Sequence, residues 1–129
     1  SARAVAGIGF QSTVYSFLVI RDAGNTYSFN VPGPASTTTT SSVSTSGFHH
    51  IACIADGSKI YIALDGNVSA GTSYGSLPAT GGSFDIGNFH VSTGVLSTSF
   101  AGFIDEARLS VGTTRGWTSN FTPPISAYS

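Results

Sequence analysis

Phe48-His49-His50-Ile51-Ala52-Cys53-Ile54-Ala55-Asp56-Gly57-Ser58-Lys59-Ile60-Tyr61-Ile62-Ala63-Leu64-Asp65-Gly66 is the stretch that decides the fold. Two apolar, β-branched runs flank Asp56-Gly57, and Asp-Gly between such runs is the strongest short signal for a hairpin turn. The spacing predicts a strand over residues 48–55, a two-residue turn, and a second strand over residues 58–64. Asp65-Gly66 repeats the signal and reverses the chain into a third strand over residues 68–72.

Working outward, the same logic holds on both sides. Residues 13–20 form an apolar, β-branched run, and residues 14–20 are apolar on both faces, with Tyr15, Phe17 and Val19 against Val14, Leu18 and Ile20; such a strand needs cover on both sides. It ends at Arg21-Asp22-Ala23-Gly24-Asn25, a turn made of suitable residue types. Tyr27, Phe29 and Val31 then alternate with Thr26, Ser28 and Asn30, which is a strand with one buried face and one wet face. Pro32-Gly33-Pro34 stops it. Residues 35–46 are almost all serine and threonine. They are read as a polar edge strand and not a flexible linker, because threonine is a good strand former and the hairpin follows at once. Further strands are expected over residues 83–88 and 101–110. Short strands at this spacing, with no helix between them, indicate an all-β, antiparallel two-sheet β-sandwich.

Composition agrees and removes several functions. The 129 residues suit one domain, residues 1–129, which is expected to be a processed product or part of a longer protein because it opens on Ser1. Charged residues make up 9%, against roughly a quarter in an average soluble domain, and 36 serines and threonines fill the gap. Net charge is −1 and the five basic residues (Arg3, Arg21, Lys59, Arg108, Arg115) are scattered. Clustered cations are needed to neutralise phosphates, so no nucleic-acid partner is expected. No apolar run approaches the roughly 18 residues of a membrane span, so no membrane partner is expected. Cys53 stands alone, which excludes an internal disulfide and suits folding in a reducing cytosol. Flanked by Ile51, Ile54 and Ala55, it reads as a small buried hydrophobe.

Several segments resemble laminin-G-like domains. Phe48-His49-His50-Ile51-Ala52 is similar to their aromatic-His-His-Val-Ala strand, and Ile60-Tyr61-Ile62-Ala63-Leu64-Asp65-Gly66 to the strand and turn that follow. Ser76-Leu77-Pro78-Ala79-Thr80-Gly81-Gly82 leading into Phe84-Asp85-Ile86-Gly87 resembles the next loop and strand. Gly102-Phe103-Ile104-Asp105-Glu106-Ala107-Arg108-Leu109-Ser110 resembles the closing strand, and Asn120-Phe121-Thr122-Pro123-Pro124 the tail of versions found in bacteriophage virion proteins. The resemblance implies a concanavalin A-like jelly roll. It also implies a binding role toward glycans or proteins, often on tail fibres, spikes and other virion surfaces. The family usually opens with an additional strand, for which only residues 1–10 are available here. That strand is expected to be short, divergent, or supplied by another segment or chain.

Catalytic chemistry finds little support. Glycosidases of this fold need two carboxylates facing one bond across about 5–9.5 Å, and this chain has one glutamate, Glu106, whose neighbour Asp105 points to the opposite face of a strand. No Glu-x-Asp-x-x-Glu pattern, Gly-x-Ser-x-Gly elbow or phosphate-binding glycine loop exists. His49 and His50 point to opposite faces and cannot chelate one ion together. His49 and Cys53 lie roughly 13 Å apart at strand rise, which leaves one of the two histidines with His90 as the remaining pairing. On residues 101–110, Phe103, Asp105, Ala107 and Leu109 form the more apolar face, expected to meet the core. Asp105 then needs compensation, from backbone N–H groups or from calcium, which the resemblance implies for some relatives near this strand.

The function expected is a non-catalytic virion-surface module that binds a host-surface glycan or other receptor; the alternative is a structural decoration or assembly domain contacting other virion proteins. A eukaryotic adhesion domain is disfavoured by the missing disulfide. Candidate ligand-binding residues are Tyr74, Asn88, His90 and Trp117, the first three because loops of sandwiches carry their sites. Trp117 with Phe121 either stacks a sugar or pins the C-terminal segment onto the sandwich. Asp105 is the candidate metal residue; no other cofactor is expected. The apolar composition, the few charges at sheet edges and the short front of the sandwich point to a homo-oligomer, with a trimer favoured by the resemblance.

Overall fold

The computed structural model describes residues 2–11, 14–33, 35–39, 41–78, 83–88, 90–92, 95–96 and 99–126. Thr13, Pro34, Thr40 and residues 79–82, which enter the expectations above, lie outside the described residues, as do the side chains of Val14 and His90. The fold is all-β, with no helix among the described residues, and is built on two antiparallel sheets.

The first sheet runs β4-β3-β2-β1-β9, from β1 (Arg3–Gln11), β2 (Val14–Arg21), β3 (Tyr27–Asn30), β4 (Ser36–Thr38) and β9 (Ser83–Ile86). The second holds β5 (Ile51–Ala55), β6 (Lys59–Leu64), β7 (Asn67–Val68) and β8 (Thr72–Ser73), with β6 paired to β5 on one side and to β7 and β8 on the other. A separate two-stranded ribbon joins β10 (His90–Ser92) and β11 (Val95–Leu96).

The hairpins form where the Asp-Gly signals lie. Ala55 pairs with Ile60 across residues 56–59, where the Asp56 N–H donates to the Lys59 carbonyl at 3.1 Å and sets Gly57-Ser58 at the tip, one residue beyond the expected Asp56-Gly57; Leu64 pairs with Asn67 across Asp65-Gly66. Asp65 (φ 49°) and Gly66 (φ 85°) both take positive φ, the geometry that matches strand twist in a two-residue turn. Asp56 fixes the other turn, its Oδ1 accepting the Ser58 and Lys59 N–H groups at 2.9 and 2.8 Å.

The core lies between the sheets. Phe29, Val19, Val31 and Ala35 of the first sheet and its loops meet Ile60 and Ile62 of β6, all buried. A second apolar cluster, Ala52, Ile54 and Ala63, occupies the outer face of the second sheet. β6 lies against β3 and β4, and Thr37 of β4 shares a 2.9 Å hydrogen bond with buried Ser69, just past β7. The β7 side of the second sheet is thereby tied to the β4 edge of the first, and β5 points toward β2 and β1.

Three expectations are corrected. The front is not one strand short: β1 spans nine residues and pairs with both β2 and β9, so residues 3–11 supply a central strand from within the chain. Residues 35–46 do furnish the polar edge strand, but only Ser36–Thr38 is regular. Residues 101–110 are not a strand. They run as an irregular, exposed segment in which Phe103 is 89% and Leu109 49% exposed. The alternation there marks two faces, but among the described residues no neighbouring strand holds the backbone in pairing.

Candidate functional site

Polar side chains converge at the Asp65-Gly66 turn. There, Asp65 accepts the His50 backbone N–H at Oδ1 (2.8 Å) and pairs with His49 Nδ1 at Oδ2 (2.8 Å). His49 Nε2 lies 3.2 Å from Ser44 Oγ. Partial burial works against the ionised form of Asp65. The hydrogen bonds from the His49 ring and the His50 amide outweigh it and hold the carboxyl below its ordinary value. Beside this line Phe48 is 72% exposed. Ser44, Phe48, His49 and Asp65 all border a cleft of about 1800 Å³ between the sheets.

Hydroxyl, imidazole and carboxylate in this order is the arrangement of a nucleophilic relay, a constellation that the sequence motifs do not announce. Its hydrogen bonding is of another kind. Ser44 Oγ lies 3.2 Å from the Ser46 carbonyl and 3.0 Å from Ser46 Oγ, and it accepts the Ser46 amide at 3.2 Å. The hydroxyl proton has carbonyl and hydroxyl acceptors besides His49, and the adjacent N–H is spent on Oγ instead of facing an oxyanion position. The geometry is that of a serine turn tied to a histidine.

On the outer face of the second sheet, His50 meets Trp117 and Phe121 edge-on, at ring-centroid distances of 5.5 and 5.8 Å. The Trp117 and Phe121 rings stack at 4.3 Å and 5°. Val68 N–H donates to Asn120 Oδ1 and Phe121 N–H to the Gly66 carbonyl, each at 3.0 Å. Burial lowers the His50 pKa, against the raising influence of Asp65. Trp117 thus has one face on Phe121 and the Arg115 guanidinium 6.0 Å from its ring centroid. This packing holds the C-terminal segment against the outer face of the second sheet.

A profile of the concanavalin A-like lectin/glucanase superfamily matches residues 1–113. This chain belongs to that superfamily. No curated protein and no solved structure matches it significantly. The match spans both sheets and the Phe48–Asp65 rim and stops short of Trp117, so the aromatic pin lies outside the part shared with the lectin/glucanase family. The superfamily joins binding proteins and hydrolases, and the carboxylates bear on which chemistry is available here. Asp22 bonds Ser28, Asp56 caps its turn, Asp65 holds His49 and His50, and Asp85 accepts Ser83 Oγ at 2.8 Å. The backbone hydrogen bonds from Lys59 and Ser58 bring the Asp56 pKa down to about 2. A general acid for glycoside cleavage needs its pKa raised; Asp56 and Asp65 are shifted the other way.

Asp105 does not face the core. It is exposed and its Oδ1 accepts the amide of its own neighbour Glu106 at 2.9 Å, because the segment carrying it is not a strand. Among the described residues no group of three or more His, Cys, Asp and Glu side chains is placed to hold a metal. The other candidates do not converge. Tyr74 packs against the inner core from beyond β8, Asn88 is half-buried after β9 at the far edge of the first sheet, and Trp117 lies on the opposite face of the second sheet from Tyr74. The His49–Asp65 pair and the exposed Phe48 were missed as a site. An aromatic-His-His strand and an Asp-Gly turn read as structure, and only their pairing sets Phe48 and His49 at the cleft rim.

Proposed function

We propose that this chain is a non-catalytic recognition module of a virion surface that binds a glycan or other host-surface receptor. The observation that carries the reading is Phe48: a phenyl ring 72% exposed beside a fixed imidazole–carboxylate pair at the mouth of a cleft. Sugars present apolar C–H faces and hydroxyl edges, so an aromatic platform flanked by an acceptor carboxylate and an imidazole suits them. Membership in the lectin/glucanase superfamily supports the chemical class, and the local engagement of Asp22, Asp56, Asp65 and Asp85 supports binding without hydrolysis.

The test is binding of the chain to immobilised glycans and to host-envelope polysaccharide, alongside Phe48→Ala. The expected result is binding by the wild type and its loss in a variant whose melting temperature is unchanged. Release of reducing ends from a bound glycan would overturn the non-catalytic part. Binding that survives Phe48→Ala would move the site elsewhere. A second reading, assembly with other virion proteins or further copies of this chain, is favoured by Phe103 and Val111, each 89% exposed, and by Ile125 at 100%. Oligomers by light scattering, with no glycan bound, would select it.

A further inference from the structure

The five basic residues are scattered along the sequence, but strand register brings two of them together. Arg3 of β1 stands directly opposite Arg21 of β2, and residues so placed in an antiparallel pair project to the same face, about 5 Å apart at Cβ. Alternation along β2 puts Arg21 on the face of Phe17 and buried Val19. Its partner on the other side, Tyr27, shares a face with buried Phe29. Two half-buried arginines therefore sit side by side at the end of the inward face. Like charges directly opposite in a sheet repel, and charged groups are rarely buried without a partner.

Neither arginine has a carboxylate within ion-pair distance among the described residues. Arg3 Nη1 donates to the Ser99 carbonyl at 3.1 Å, and Arg21 donates through Nε (3.0 Å) and Nη2 (2.7 Å) to Asn25 Oδ1. Both acceptors are neutral. Asp22, the carboxylate next in sequence, bonds Ser28 instead. Two bonds to one amide oxygen fix the Arg21 guanidinium and leave its Nη1–Nη2 edge, which matches a carboxylate or phosphate group bidentately. Burial raises the Tyr27 pKa against the lowering influence of the Arg21 charge, so Tyr27 stays a neutral phenol with an O–H to donate.

Arg21 and Tyr27 line the same cleft as Phe48 and His49. Val43 N–H donates to the Asn25 carbonyl at 2.8 Å, and the next residue, Ser44, lies 3.2 Å from His49 Nε2. The turn that holds Arg21 is thereby joined to the Phe48–His49 rim through two adjacent residues. Asp65, the carboxylate on that rim, is already tied to His49 and His50. We propose that Arg3 and Arg21 form an anion subsite of the cleft, and that the glycan bound beside Phe48 is an acidic one whose carboxylate or phosphate group is taken by the Arg21 fork. The glycan part rests on the recognition reading above; the anion subsite stands on the arginine pair. An arriving anion supplies the counter-charge that the pair lacks, so the contact that recognises the ligand also relieves the repulsion between Arg3 and Arg21.

The probes are an oligogalacturonate, its carboxyl-reduced neutral form and a phosphomannan oligosaccharide. Each would be titrated calorimetrically into the wild type, Phe48→Ala, Arg21→Gln, Arg21→Lys and Arg3→Gln. One acidic probe is expected to bind about 10- to 100-fold more tightly than the neutral form, the range for charge-assisted hydrogen bonds, and which one does so separates carboxylate from phosphate. Arg21→Gln should abolish that preference, Arg3→Gln should reduce it, and Arg21→Lys should keep only part of it, since the charge remains and the fork is lost. If Arg21→Gln does not fold, the other two arginine variants carry the comparison. In a separate arm, millimolar inorganic phosphate exchanged for chloride at constant ionic strength should raise the melting temperature of the wild type and not of the arginine variants. Equal binding of neutral and acidic forms, lost in Phe48→Ala, would overturn the anion subsite and leave the Phe48 reading standing. Stabilisation by phosphate that the arginine variants lack, with no glycan bound, would keep the subsite and overturn the glycan reading. Neither a preference nor a stabilisation would remove the subsite.

Discussion

Gly66→Ala tests how the C-terminal segment is held. A Cβ at Gly66 would sit 1.9 Å from the Phe121 carbonyl oxygen, 3.0 Å from its carbon and 3.1 Å from Pro123 Cδ. Two of these neighbours are backbone, so the methyl group fits only if residues 120–123 lift away. Lifting them breaks the 3.0 Å bonds from Phe121 N–H to Gly66 and from Val68 N–H to Asn120, at about 1 kcal/mol each. It also uncovers Ala52, Ile54 and Ala63, while alanine at φ 85° adds about 1–2 kcal/mol. With part of the Trp117 and Phe121 burial lost, the expected destabilisation is about 3–5 kcal/mol, at the severe end for one substitution. Trp117 is the only tryptophan, so its fluorescence reports the pin separately from global unfolding by denaturant. The expected result is a red-shifted native emission together with the lower midpoint. Loss of stability with unchanged emission would confine the cost to the turn. Unchanged stability would refute the packing argument altogether.

Acid should weaken the fold in two stages, readable by melting at a series of pH values. His50 has a folded pKa below its unfolded value of about 6.5, so the unfolded chain takes up the proton first. Stability is full above that pH and declines as pH falls through it. His50→Phe should flatten this first stage. Asp56 and Asp65 are likewise lowered, so their contribution is present above about pH 4 and is lost as pH falls toward their folded values, about 2 for Asp56. A fold equally stable at neutral pH and at pH 5 would refute the His50 assignment. Calcium should leave the melting temperature unchanged relative to chelator, because Asp105 is exposed and its carboxylate caps its neighbour's amide. A rise that chelator reverses would restore the metal at Asp105.

Much of the sandwich was legible because turns carry local chemistry. Asp56-Gly57 and Asp65-Gly66 fix their hairpins through side-chain caps and positive φ, which depend on a few adjacent residues. Tyr27, Phe29 and Val31 were legible for a related reason, since period-two burial needs only one core on one side. Residues 3–11 were harder, because Gly7 and Gly9 dilute the strand signal and register with β2 shifts at three places, so the pairing that stabilises β1 is long-range. Residues 101–110 present the opposite case: strong alternation without a strand. Alternation states how side chains would divide if the backbone were extended, but extension itself is stabilised by a neighbouring edge. The site was the least legible part. Ser44, His49 and Asp65 lie up to 21 positions apart in the sequence, and each has a structural duty that explains its presence. What makes a candidate surface is their arrangement beside an exposed Phe48, and that arrangement follows from β5–β6 register, where Ile51 pairs with Leu64 and so brings His49 to Asp65.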